Sequence, residues 1–175
     1  MESLRVVVTG TVGAGKSTFV RTASEIEVIE VERMATDETL SLKKNTTVAF
    51  DFGRLAIGSK MDLHLYGTPG QARFDFMWDI LIKGAHAYIL LVAANRPSGF
   101  HYAHEILSFM NQRVQVPMMI GLTHMDCTGA LSPNEVLKNL GQSNPQTCPK
   151  VVTVNPNERA SVVEALHALT ALVRV

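Results

Sequence analysis

Two glycines, a lysine and a hydroxyl residue stand in fixed order in Gly10-Thr11-Val12-Gly13-Ala14-Gly15-Lys16-Ser17, the pattern G-x-x-x-x-G-K-[ST], with a third glycine at 13. No other stretch constrains the fold as much, because this pattern works only between a strand and a helix. The flanks comply. Leu4-Arg5-Val6-Val7-Val8 is a short β-branched run that reads as a buried strand, and Ser17 to Thr22 can continue as helix. Glycine at 10, 13 and 15 lets the backbone turn tightly and bring its N–H groups against phosphate oxygens. A helix starting at Lys16 adds the positive end of its dipole. The expectation is a phosphate cradle built from Gly13, Ala14, Gly15, Lys16, Ser17 and Thr18. Lys16 reaches the β- and γ-phosphates, and the Ser17 hydroxyl serves a magnesium ion.

The rest of the chain repeats the alternation that the loop demands. Strand-like runs at Thr47 to Phe52, Lys60 to Tyr66, Ala87 to Ala94, Pro117 to Thr123 and Val151 to Val154 alternate with helical stretches. Those stretches are Asp75 to Lys83, Phe100 to Arg113, a helix capped at Ser132, and Glu158 to Val173. Ile26 to Glu32 is a short edge strand or an extended segment, and Met34 to Asn45 reads as a mobile, threonine-rich loop. Thr47 to Phe52 and Lys60 to Tyr66 can pair as a hairpin across Gly53 to Ser59. The pattern predicts one α/β domain over all 175 residues: a mostly parallel sheet of about six strands with helices on both faces. In such sheets ligands sit at the carboxyl ends of strands. That edge gathers the glycine-rich loop, Gly67 to Gln71, and Thr123 to Asp126.

Composition narrows the partners. Lysine plus arginine number 16 and aspartate plus glutamate 16, so no basic surface for nucleic acid or acidic lipid is expected. The longest apolar run is too short to span a bilayer, and no signal peptide or prenylation motif is evident. Cys127 and Cys148 read as reduced thiols of a cytoplasmic protein.

Taken in order, these motifs resemble the Ras-like small GTPases. Gly67-Thr68-Pro69-Gly70-Gln71 stands where that family has Asp-Thr-Ala-Gly-Gln, Thr123-His124-Met125-Asp126 where Asn-Lys-x-Asp is usual, and Asn155-Pro156-Asn157 where Ser-Ala-Lys is usual. The departures, with Thr46 to Gly53, are similar to a prokaryotic branch related to the gliding-motility protein MglA and to conservon GTPases. The resemblance implies a GTP/GDP-binding switch that uses Mg2+, hydrolyses GTP slowly, and works with an effector and a regulator of the roadblock type. It implies Gln71 as the residue orienting the attacking water, Gly70 as the γ-phosphate sensor, and Thr47, or less favourably Thr46, as the second metal ligand. Asp126 is expected to read guanine, since a carboxylate accepts from both N1–H and the 2-amino group while adenine offers neither. His124 is expected to cover the base, with Asn155 and Pro156 closing the same pocket.

Four substitutions shape the expected chemistry. His124 in place of lysine removes a permanent charge, and Thr123 in place of asparagine alters the brace between base loop and phosphate loop. Gly67 removes a carboxylate from the magnesium's surroundings, with Asp51 and Asp62 as possible replacements. Val12 stands where small GTPases commonly have glycine and is expected to crowd the hydrolytic water, so turnover should be slow. Arg54 and Arg73 are candidate internal arginines. A nucleotide-binding scaffold without turnover and an ATP-dependent P-loop kinase remain the alternatives.

Overall fold

The computed structural model describes residues 2–34, 47–69 and 75–173. Along the chain run β1 (Glu2–Gly10), α1 (Lys16–Ala23), β2 (Ile29–Met34), β3 (Thr47–Ile57), β4 (Met61–Gly67), α2 (Asp75–Ile82) and β5 (Ala87–Ala93). Then follow α3 (Phe100–Arg113), β6 (Met118–Thr123), α4 (Pro133–Asn139), β7 (Lys150–Thr153) and α5 (Arg159–Val173). The fold is α/β, as the alternation predicts. Among the described residues the sheet has seven strands in the order β2-β3-β4-β1-β5-β6-β7. The β2–β3 and β3–β4 pairs are antiparallel, and all others are parallel.

The sheet divides the apolar residues by period two. On β1, Leu4, Val6 and Val8 face a core with Phe19 and Val20 of α1 and Leu166 and Leu169 of α5. Val7 faces the opposite core with Trp78 and Ile82 of α2 and Ile106 and Met110 of α3. The central strand β5 is buried at every position, which its unbroken apolar run requires. Ser132 caps α4 as its sequence predicts: its hydroxyl accepts from Glu135 N–H while the Glu135 carboxylate accepts from Ser132 N–H at 2.8 Å.

Two expectations shift. The segment read as edge strand or extended chain is a true strand, starting three residues later than Ile26, and Ile29 pairs with Phe52. β3 does not stop at Phe52 but runs through Gly53 to Ile57, so the hairpin turn is Gly58 to Lys60. Gly53 marks a close approach, not a break. A Cβ there would lie 3.0 Å from Val20 Cγ1 and from Ser24 Cβ, so its bareness lets α1 settle on the sheet. Met34, expected to open a loop, closes β2, and the rest of that stretch, residues 35–46, lies outside the described residues.

Candidate functional site

β1 ends at Gly10, whose φ of 148° and close approach to the Leu91 carbonyl exclude a side chain. The turn that follows takes left-handed backbone at Gly13 (φ 77°) and Gly15 (φ 101°) before α1 starts at Lys16. Lys16 is buried and donates from Nζ to the Thr11 carbonyl at 2.6 Å. Burial pushes its pKa down from 10.5 to about 8, against the opposing pull of the Asp51 carboxylate. The lysine is thus held across its own loop by one backbone acceptor, poised for an anion to replace it. The helix opening behind it carries no acidic residue in its first turn, so its positive end is uncompensated from within.

The side of the site opposite the phosphate loop is built from the ends of β6 and β7. Thr123 is fully buried, and its Oγ1 donates to the Ala14 carbonyl at 2.8 Å. A hydroxyl thus makes a direct brace between the Thr123–Asp126 loop and the phosphate loop, at the position where small GTPases have asparagine. His124 takes left-handed backbone (φ 58°), and its Nδ1 lies 3.0 Å from Thr123 Oγ1. With the Thr123 proton committed to Ala14, that contact is satisfied when Nδ1 carries hydrogen. From β7, Pro156 packs over the phosphate loop. A Cβ on Gly15 would approach Pro156 Cγ to 2.9 Å, so this glycine is required twice, by its φ and by its neighbour. Asn155 is held by its N–H to Ser161 Oγ at 2.9 Å.

These three loops enclose one cleft of about 830 Å³, lined by Gly13, Gly15 and Thr18 on one side and His124, Asp126, Asn155 and Pro156 on the other. Seven residues proposed from separate motifs therefore share one cavity. Ala14 is buried behind the cradle, and Ser17 is exposed at the opening of α1. Thr47 begins β3 opposite Met34. Thr46, Gly70, Gln71 and Arg73 lie outside the described residues.

Of the two carboxylates weighed as replacements at Gly67, the structure separates one from the other. Asp51 pairs with Gly67 across the β3–β4 ladder, and a Cβ on Gly67 would lie 3.3 Å from Asp51 Cβ and 3.5 Å from its Oδ2. Its carboxylate thus stands where a side chain from position 67 would project, within electrostatic reach of Lys16. Asp62 pairs with Ser3 at the far end of β1 and is held by Arg54 (2.7 Å) and His64 (3.2 Å). That ion pair also removes Arg54 as an internal arginine. The Ser17 hydroxyl and the Asp51 carboxylate are oxygen donors of the kind magnesium takes, so the residues present fit that ion together with phosphate oxygens. When bound it would supply positive charge that offsets the charge of the phosphate groups. Among the described residues no cluster of three His, Cys, Asp or Glu side chains forms a metal site, and His101 and Glu105 make only an exposed pair at 3.3 Å.

Sequence reasoning passed over the turn after β5. Gly99 abuts Thr11, with a Cβ there 3.5 Å from Thr11 Oγ1, and Arg96 lies over Gly13. The available signal was topological: β5 neighbours β1, so its C-terminal turn must meet the phosphate loop. Trp78 of α2 reaches the segment that follows β4. It is 2% exposed, and its Nε1 donates to the Pro69 carbonyl at 3.1 Å, so it is a core residue anchoring the end of the Gly67–Pro69 segment.

Comparison with known proteins agrees with this architecture. The chain is similar in structure to the Arl6 BBS3 small GTPase of Trypanosoma brucei, solved with a bound nucleotide analogue, GppNp. The TM-score is 0.74 at 16% identity, covering 98% of both chains, which establishes a small-GTPase-like fold. It is 28% identical over 135 residues to the uncharacterised protein MJ1339 of Methanocaldococcus jannaschii, covering 77% of this chain and 78% of that one. A family model described as "Conserved hypothetical ATP binding protein" matches residues 26–173, the region downstream of the phosphate loop. The chain is a nucleotide-binding P-loop protein with a small-GTPase fold, and it belongs to that family.

Proposed function

We propose that this protein is a GTP/GDP-binding switch that hydrolyses GTP slowly to GDP and phosphate. One observation carries the reading: Asp126 lines the same cleft as Gly13, Gly15 and Thr18. A carboxylate at one end and a phosphate cradle at the other suit a guanine nucleotide laid between them. Two charge-assisted hydrogen bonds from guanine, at about 1.5–3 kcal/mol each, amount to roughly a hundredfold or greater preference over adenine. Lys16 and the amides of Gly13 to Thr18 hold the phosphates, Ser17 and Thr47 serve magnesium, and Thr123, His124, Asn155 and Pro156 complete the base pocket. Gln71 orients water, and Gly70 with Thr47 reports the γ-phosphate. By its resemblance to the MglA branch, the protein works in the cytoplasm with an effector and a roadblock-type regulator that speeds exchange or hydrolysis. The family description favours a second reading, an adenine-nucleotide binder on the same cradle. Titration with labelled GTP, GDP and ATP in Mg2+ decides between them. The switch reading requires guanine nucleotides to bind at least a hundredfold tighter, and equal binding of ATP overturns it.

A further inference from the structure

Arg96 follows β5 in the turn that leads to Pro97–Gly99. Its guanidinium lies directly over the phosphate loop: a Cβ on Gly13 would collide with Nη1 and come within 3.3 Å of Cζ. The absence of a side chain at Gly13 is what admits it. Its backbone is fixed by Arg96 N–H to the Ala93 carbonyl (3.1 Å) and Gly99 N–H to the Arg96 carbonyl (3.0 Å). No hydrogen bond or ion pair engages the guanidinium among the described residues. A cation placed on a loop without an acceptor would ordinarily be explained by a neighbouring carboxylate, and among the described residues Arg96 forms no ion pair with one. Lys16 already stands at this loop, and the positive end of α1 opens there as well. Three positive features around one glycine turn repel one another in the free protein, and a polyanion reverses that balance.

We infer that Arg96 is a second phosphate-binding cation, gripping the polyphosphate of a nucleoside di- or triphosphate from the β5 turn. This rests on the nucleotide-binding reading above but not on the identity of the base. A planar guanidinium suits the task, since its fork can donate two parallel bonds to phosphate oxygens.

The test compares wild type, Arg96→Ala and Arg96→Lys in competition titrations with GMP, GDP and GTP, and with AMP, ADP and ATP, alongside the melting temperature of each nucleotide-free protein. Arg96→Ala is expected to weaken di- and triphosphates about tenfold to a hundredfold. The monophosphate should change little, the free protein should melt where wild type does, and lysine should restore part of the loss. Unchanged affinity in Arg96→Ala overturns the inference. So does an equal loss for the monophosphate, or a lowered melting temperature, since either assigns Arg96 to the fold instead. If ATP and GTP bind wild type equally and both depend on Arg96, the inference stands and the guanine reading falls. If wild type binds neither series, both fall.

Discussion

The two ends of the cleft are made from different materials. The phosphate end is backbone: Gly10, Gly13 and Gly15 hold left-handed conformations, and neighbouring atoms fill the space where their side chains would be. The end proposed for the base is side chain: a threonine hydroxyl braces it, and His124, on left-handed backbone, and Asp126 line the cavity. The first end keeps its motif intact, whereas the second departs from the small-GTPase pattern at Thr123, at His124 and throughout Asn155 to Asn157. The difference teaches which constraints are transferable. A glycine at φ 101° under a proline ring has no substitute, whereas a buried acceptor such as the Ala14 carbonyl accepts any donor of the right reach.

If the phosphate end carries most of the affinity, Lys16→Ala should cost the most. It removes several charge-assisted bonds, so GDP affinity should fall at least a hundredfold by fluorescence titration, with the free protein still folded. Next comes the joint between the two ends. Thr123→Val keeps the shape but strands the Ala14 carbonyl, and should lower stability by about 1–3 kcal/mol in urea unfolding. A smaller loss would mean the loops are held together by packing alone. The pH dependence of binding separates the ends again. Lys16 titrates near 8 in the free protein, and bound phosphate favours its charged form. Binding above pH 8 must therefore take up a proton, and affinity should fall by up to about tenfold per pH unit there while staying flat below. In the free protein the same depressed pKa works the other way. The unfolded chain binds the extra proton between about 8 and 10.5, so this lysine's contribution to stability rises across that window. The smallest effect concerns turnover. Val12 is 62% exposed at the mouth of the loop, unsupported by packing, and Val12→Gly should raise single-turnover GTP hydrolysis a few-fold. An unchanged rate would show that the branched side chain leaves the attacking water alone.

What the sequence made legible follows the same division. Period-two burial and a fixed glycine pattern are local, so the phosphate loop, β5 and α3 stand within a residue of their expected bounds, and β1 extends two residues past the expected Leu4–Val8 run at each end. Gly53 misled because a glycine that ends a strand and one that admits a helix onto it look alike until α1 is seen packed there. Asp51 and Asp62 were indistinguishable as strand carboxylates. Only the ladder register, with Asp51 opposite Gly67 and Asp62 opposite Ser3, puts one at the phosphate edge and the other at the far edge. Arg96 was invisible for a similar reason, since nothing in its own neighbourhood names Gly13 as its contact.

The claim on which the functional reading depends is that Asp126 chooses the purine. Its most direct test is the ratio of GTP to ATP affinity in wild type and in Asp126→Ala, measured in the same magnesium buffer. The account predicts a ratio of roughly a hundred or more that collapses to within about tenfold in the variant, chiefly through weaker GTP binding. A wild-type ratio near one, or a large ratio that survives the substitution, contradicts it.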